Sequence, residues 1–123
     1  MQQLQKLFDN SKVKVMAGDF TPGDWEFKGG ILWGAFDQIN LVGDVKSSTL
    51  QTEESVKKLS ETLGWGLAGA VIFGPMGLLA GLVMGGNKKE VCALTELKDG
   101  RKFLAVMDAK IYQQILGYSL NKG

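Results

Sequence analysis

A long stretch without any charged side chain, from Thr62 to Asn87, constrains this chain more than any other feature. Both of its flanks are ordinary sequence in which charged and apolar residues are mixed. Such a stretch must be covered by lipid, by other proteins or by the rest of its own chain. A chain of 123 residues has little left over to bury it alone. We therefore expect an apolar segment that enters a membrane or forms the core of an oligomer.

Small residues recur at every fourth position through this stretch, which is the spacing of one helix face. Two triplets share this spacing: Gly66, Ala70 and Gly74, then Gly77, Gly81 and Gly85. In water, each glycine costs a helix roughly 1 kcal/mol relative to alanine. Close packing between helix backbones must return that energy. The spacing therefore predicts that these six residues pack helices together and drive oligomerisation.

Pro75 divides the stretch near its centre and leaves two geometries open. Proline disfavours continuation of a helix, so Gly74 and Pro75 predict the turn of a hairpin made of two short helices. The first of these would begin near Thr52 and end near Phe73. A single kinked helix is the alternative, since about 24 apolar residues can span a bilayer. An arm of about ten residues is only roughly 15 Å long, so a hairpin would need other copies around it.

The residues that flank the stretch favour a membrane location. Lysine pairs border both ends, Lys57 with Lys58 and Lys88 with Lys89, and positively charged flanks tend to stay in the cytoplasm. Trp65 lies at the entrance, where tryptophan often anchors at a lipid interface. We therefore expect a protein of the inner (cytoplasmic) membrane with its β domain in the cytoplasm. An assembly located in the cytoplasm is the alternative.

The flanking sequences favour a small antiparallel β domain. Alternation of polar and apolar residues predicts three or four short strands before residue 46. Ser48 and Gln51 then resemble a capping box for the following helix. Beyond the stretch, Glu90–Leu97 and Arg101–Met107 predict a hairpin around an Asp-Gly turn. A short helix after Asp108, expected to end at Gly117, completes the domain.

These patterns together predict an α+β fold with about five to six antiparallel strands, a C-terminal helix and an inserted apolar helical hairpin. Three parts are expected: residues 1–50 as the first half of the β domain, residues 51–87 as the hairpin, and residues 88–123 as the remainder of the β domain. Trp25, Trp33 and Phe36 are predicted to lie in the core of the small sheet.

Residues suited to catalysis are scarce. The chain has no histidine and a single cysteine, Cys92, so the commonest general base and an internal disulfide are both excluded. The carboxylates of Asp19, Asp24, Asp37 and Asp44 lie in predicted turns, and no pair among them indicates acid–base chemistry. The net charge is +1 with scattered lysines, so no basic patch indicates nucleic acid. We expect no enzyme, no cofactor, no metal and no small-molecule substrate.

Two blocks of sequence carry a resemblance to known proteins: Leu67–Gly81, and Lys88–Val91 together with Lys98–Phe103. They resemble small bacterial and phage proteins described as glycine-zipper or membrane proteins of unknown function. The similarity covers roughly residues 60 to 116 and brings no catalytic residues with it. The β region with its terminal helix is also loosely similar to bacterial pleckstrin-homology-like domains. That second resemblance implies that strands on both sides of the insertion share one sheet.

Two functions of different classes follow from these expectations. The first is a non-enzymatic, membrane-associated protein that self-assembles through the hairpin as a pore, a scaffold or a membrane-perturbing effector. Its partners would be further copies of the chain and the lipid bilayer. The alternative is a soluble structural subunit of a ring, filament or virion, in which the hairpin is the buried apolar core.

Overall fold

The structure, a computed structural model, describes residues 11–64 and 90–120. Within these residues, seven antiparallel strands form one sheet that curls into a half-barrel, and two helices pack against it. The strands are β1 Lys12–Gly18, β2 Gly23–Lys28, β3 Ile31–Trp33, β4 Gln38–Asn40, β5 Val45–Leu50, β6 Glu90–Leu97 and β7 Lys102–Asp108. The helices are α1 Glu53–Leu63 and α2 Ala109–Leu120. The strand order across the sheet is β4-β3-β2-β1-β7-β6-β5, so β4 and β5 are its two edges.

The inner face of the half-barrel holds most of the core. Alternation along each strand turns one set of apolar side chains inward, and α2 packs against this face through the buried side chains of Ile111 and Ile115. Phe103 of β7 is completely buried there and meets Phe20 edge to face, with 5.6 Å between the ring centroids. The other members of this cluster are Val13, Val15, Trp25, Phe27, Leu32, Ile39, Leu41, Val45, Ala93, Leu97, Ala105 and Met107.

A smaller cluster on the outer face holds α1. Val56 of α1 is buried and Leu59 half-buried, and both belong to a cluster whose strand residues are Met16, Cys92, Leu94, Leu104 and Val106. The helix starts with a capping box. In this box the Ser55 N–H donates to Thr52 Oγ1 at 3.3 Å, and the Thr52 N–H donates to Ser55 Oγ at 2.8 Å. The cap therefore differs from the Ser48–Gln51 pair that the sequence predicts.

The predicted fold class is wrong in the number of strands and in the inserted element. The sheet has seven strands instead of five or six, because the residues around Ser48 continue the sheet as β5 before the helix begins. α1 ends at Leu63, well before Phe73, because Gly64 adopts a left-handed conformation (φ 68°) that closes the helix. Within residues 11–64 and 90–120 there is no apolar helical hairpin. The residues assigned to that hairpin beyond Gly64 lie outside the described part of the chain.

The helices of the described residues contradict the predicted inner-membrane location. Neither α1 nor α2, the helices of the described residues, is long and apolar enough to cross a membrane. They have 11 and 12 residues, whereas a span needs about 20 apolar residues. α1 also carries lysines on its exposed surface.

The C-terminal hairpin is present where the sequence predicts it. β6 and β7 pair in continuous register from Glu90 opposite Asp108 to Glu96 opposite Lys102. The last helix is longer than predicted, because α2 continues through Gly117 to its end at Leu120. An exposed glycine costs a helix only about 1 kcal/mol, and the following Tyr118 packs against the inner cluster.

Candidate functional site

The most exposed large aromatic side chains of the described residues lie where β3 turns into β4. We term residues 33–40 the β3–β4 corner. Phe36 is 102 % exposed and Trp33 is 43 % exposed, whereas Trp25 is only 5 % exposed. The prediction that all three aromatic residues lie in the core is therefore wrong for Trp33 and Phe36. An apolar surface of this kind is the usual mark of an interaction site.

Local backbone geometry explains why the two aromatic side chains face outward. Trp33 follows the completely buried Leu32 in β3, so strand alternation turns the tryptophan to the outer face. The N–H of Gly34 donates to the carbonyl of Asp37 at 2.8 Å and closes a tight turn. Phe36 lies within that turn, and its side chain packs against no strand of the described residues. Trp33 therefore faces outward because of the phase of β3, and Phe36 because it lies in the turn.

β4 is an edge strand, and no strand of the described residues pairs with its outer side. The N–H of Leu41 donates to the carbonyl of Gly30 at 2.9 Å, which sets the phase of the β3–β4 ladder. In that phase, the N–H and C=O groups of Gln38 and Asn40 point away from β3. The side chain of Asp37 accepts a hydrogen bond from the Gln38 N–H at 3.0 Å and shields this one donor.

A polar cleft of about 410 Å³, termed the edge cleft, lies beside this edge of β4. Its lining residues are Gln38, Ile39 and Asn40 of β4, then Asp44, Leu97, Lys98, Asp99 and Arg101. The Arg101 guanidinium bridges to Asp99 at 2.8 Å and lies 5.0 Å from the ring centroid of Phe20. Hydrogen bonding from the Arg101 backbone N–H, followed by that of its guanidinium, lowers the pKa of the exposed Asp99 carboxyl.

A second cleft, termed the tryptophan cleft, has a volume of about 370 Å³ and lies beside Trp33. Its lining residues are Lys12, Asp24, Trp25, Glu26, Trp33, Gly34 and Ala35. One carboxylate oxygen of Glu26, Oε1, is shielded from solvent and has no hydrogen-bond partner among the described residues. Aromatic rings, carboxylates and one lysine therefore meet in a single concave surface.

Cys92 and Asp19 both lie in structural surroundings. Cys92 lies in the outer cluster beneath α1, and burial raises the pKa of its thiol to about 11. A thiol with that pKa stays protonated near neutral pH and is a poor nucleophile. No group of three or more potential metal ligands occurs in residues 11–64 and 90–120. Asp19 has a structural role, since its carboxylate accepts a hydrogen bond from the Lys102 N–H at 2.8 Å.

Most of the site residues predicted from the sequence fall outside the described part of the chain. These are the helix-packing residues Gly66, Ala70, Gly74, Gly77, Gly81 and Gly85, the turn residue Pro75, and the flanking residues Trp65, Lys88 and Lys89. Lys57 and Lys58 are described and lie exposed on α1. Lys58 forms an ion pair with Glu54 at 4.0 Å, a pairing common along helix surfaces.

Comparisons with known proteins do not assign the chain to a family. No family model matches it, no curated protein matches its sequence, and no solved structure matches its fold. The resemblances to glycine-zipper proteins and to pleckstrin-homology-like domains therefore stay predictions.

Proposed function

We propose that this protein is a non-enzymatic, self-associating domain in which the edge formed by the β3–β4 corner and the exposed Val42 binds the same edge of a second copy. The fully exposed side chain of Phe36, next to an edge strand, is the observation that carries this proposal. Burying a phenylalanine side chain is worth about 1.5 to 3 kcal/mol. Aromatic side chains of this kind anchor many protein interfaces.

The backbone of β4 is suited to pairing with a copy of itself. If two β4 strands run antiparallel about a two-fold axis at Ile39, Gln38 of one copy lies opposite Asn40 of the other. Both residues direct their N–H and C=O groups outward, so each facing pair can exchange two hydrogen bonds. Gln38 would first release its contact with Asp37. Such pairing continues the sheet and covers an exposed edge.

The opposite edge of the sheet is less open to a partner. α2 packs along β5, and the Tyr112 hydroxyl donates a hydrogen bond to the Ser48 carbonyl at 3.4 Å. This contact occupies a backbone acceptor of the edge strand. Between the two edges, β4 therefore supports pairing better than β5.

Two further features support this assignment. The spacing of small residues between Gly66 and Gly85 independently predicts a homo-oligomer, so two parts of the chain point to the same partner. The Cys92 thiol stays protonated near neutral pH, and the chain has no histidine to act as a general base. Self-association requires only shape, exposed apolar surface and free backbone groups.

Replacing Phe36 by serine is expected to weaken self-association by at least about tenfold, because the lost burial is worth about 1.4 kcal/mol or more. Sedimentation velocity of the full chain over a range of concentrations measures the dissociation constant. Leu120→Ser is the matched control, since Leu120 is 75 % exposed at the end of α2 and belongs to no proposed contact. A wild-type protein that stays monomeric up to several hundred micromolar, or an equal loss in both variants, contradicts the proposal.

A further inference from the structure

The outer edge of β4 presents three backbone N–H groups, and two of them already donate to neighbouring side chains. They belong to Gln38, Asn40 and Val42, alternate residues whose N–H groups face away from β3. Asp37 Oδ1 accepts the Gln38 N–H at 3.0 Å, and Asn40 Oδ1 accepts the Val42 N–H at 3.1 Å. Within the described residues, no side chain accepts the N–H of Asn40. The edge is therefore partly capped by its own side chains.

The contact of Asp37 competes directly with pairing between two β4 strands. When two strands pair about Ile39, the Gln38 N–H of one copy donates to the Asn40 carbonyl of the other. That N–H has to leave the Asp37 carboxylate first, because the two acceptors lie in different directions and a hydrogen bond needs a nearly linear geometry. The Asn40 N–H requires no such release. A dimer therefore gains two hydrogen bonds freely and two more only after two Asp37 contacts have broken.

We propose that the Asp37 side chain is an autoinhibitory latch that limits how tightly two copies of the chain associate through β4. This latch depends on the self-association proposed above and regulates the same edge. Proteins with exposed sheet edges often protect them against pairing, and charged side chains are one of the devices they use. Here the carboxylate acts on the backbone donor itself. Asp37 is exposed, so water replaces the Gln38 N–H at its carboxylate when the latch opens.

The backbone around Asp37 keeps the latch in place. The carbonyl of Asp37 accepts the Gly34 N–H at 2.8 Å, which holds the residue beside Gln38 whether its side chain is bound or released. In the paired strands, Asp37 lies opposite Leu41 of the other copy. The two Asp37 residues are then four positions apart along the strands, about 13 Å, which exceeds the screening length of roughly 8 Å at physiological ionic strength. The hydrogen bond, more than mutual repulsion, therefore carries the inhibition.

Asp37→Ala removes the latch and is expected to lower the dissociation constant of self-association about tenfold, or by about 1.4 kcal/mol. Each broken contact contributes about threefold, and each dimer contains two of them. Sedimentation velocity of the full chain over a range of concentrations measures the change. Asp44→Ala is the matched control, because Asp44 is another exposed carboxylate beside the edge cleft and caps no N–H of β4. It should leave the dissociation constant within about twofold of wild type.

Asp37→Asn separates the hydrogen bond from the charge. Asparagine keeps an acceptor oxygen, and a neutral hydrogen bond is about half as strong as a charged one. We expect this variant to tighten self-association about threefold, between wild type and Asp37→Ala. A wild-type dimer whose affinity is unchanged in Asp37→Ala overturns the latch alone. Equal tightening in Asp37→Asn and Asp37→Ala, or in Asp44→Ala, assigns the effect to charge and overturns it too. If neither wild type nor Asp37→Ala associates, the proposed function falls together with the latch.

Amide hydrogen exchange tests the latch inside a single copy. The measurement uses nuclear magnetic resonance on Phe36→Ser, at a concentration where that variant is monomeric. After correction for intrinsic rates, the Gln38 N–H should exchange more slowly than that of Asn40. Adding Asp37→Ala should speed exchange at Gln38 about threefold, matching the contribution of one contact, and leave Asn40 unchanged. Exchange at Gln38 that does not respond to Asp37→Ala overturns the latch, whatever the strength of self-association.

Discussion

Replacing Gly18 by alanine is expected to destabilise the protein by about 2 to 6 kcal/mol, since two effects of about 1 to 3 kcal/mol each add together. Gly18 has φ +120°, a backbone conformation that residues with a Cβ rarely adopt. A Cβ at this position would also lie 2.4 Å from the carbonyl oxygen of Lys102 and 2.7 Å from the Cα of Phe103. Both are backbone atoms of β7, so relief requires β1 and β7 to separate.

Gly23→Ala is the matched control for this change. Gly23 also has a positive φ, of +137°, but a Cβ there would have nothing within 4 Å. It therefore measures the conformational strain without the clash. Urea unfolding of both variants, followed by circular dichroism, gives the two losses in the free energy of unfolding. Equal losses for Gly18→Ala and Gly23→Ala would contradict the close approach of β1 to β7.

Phe103→Ala is expected to cost about 3 to 5 kcal/mol, the usual loss for truncating a buried phenylalanine. Phe103 is completely buried, and its ring packs edge to face against Phe20. Phe36→Ala makes the same chemical change at a fully exposed position and should stay within about 0.5 kcal/mol. Urea unfolding at a protein concentration that favours the monomer compares them. A comparable loss in Phe36→Ala would mean that this side chain is buried within a single chain.

Local patterns predict the parts of the fold whose partners are close in sequence. β6 and β7 alternate clearly around a turn in which Asp99 Oδ1 accepts the Arg101 N–H at 3.0 Å, so the hairpin is evident from its own residues. β5 is different. Ser48 has the composition of a helix cap, but its hydroxyl forms a 2.9 Å hydrogen bond with Thr95 inside the sheet. That partner is 47 residues away, where no local pattern can reveal it.

The candidate site is harder to predict from the sequence, because it consists of side chains that the rest of the fold leaves exposed. An aromatic residue beside a short strand belongs to the core in one phase of the strand and to the surface in the other. Trp25 takes the first phase and Trp33 the second, although both lie in alternating segments. The exposure of Phe36 could be predicted, since this residue follows Gly34 in a short connection between two strand patterns. The unpaired oxygen of Glu26 is visible only once three strands are placed side by side.

Disulfide trapping between two variants, Gln38→Cys and Asn40→Cys, tests self-association through β4 most directly. Facing residues of a hydrogen-bonded antiparallel pair have Cα atoms about 5.5 Å apart, within disulfide range. Two copies of the same position would lie on the diagonal, about 7 to 8 Å apart, which is too far. Native Cys92 should add no background, because it is buried and its pKa is raised to about 11.

The two variants are oxidised separately and as an equimolar mixture, and the products are measured by mass spectrometry without reductant. We expect a disulfide-linked dimer that contains one chain of each variant, and little or no dimer from either variant alone. A mixture that forms no mixed dimer, or a single variant that cross-links as well as the mixture, would contradict pairing of β4 about a two-fold axis at Ile39.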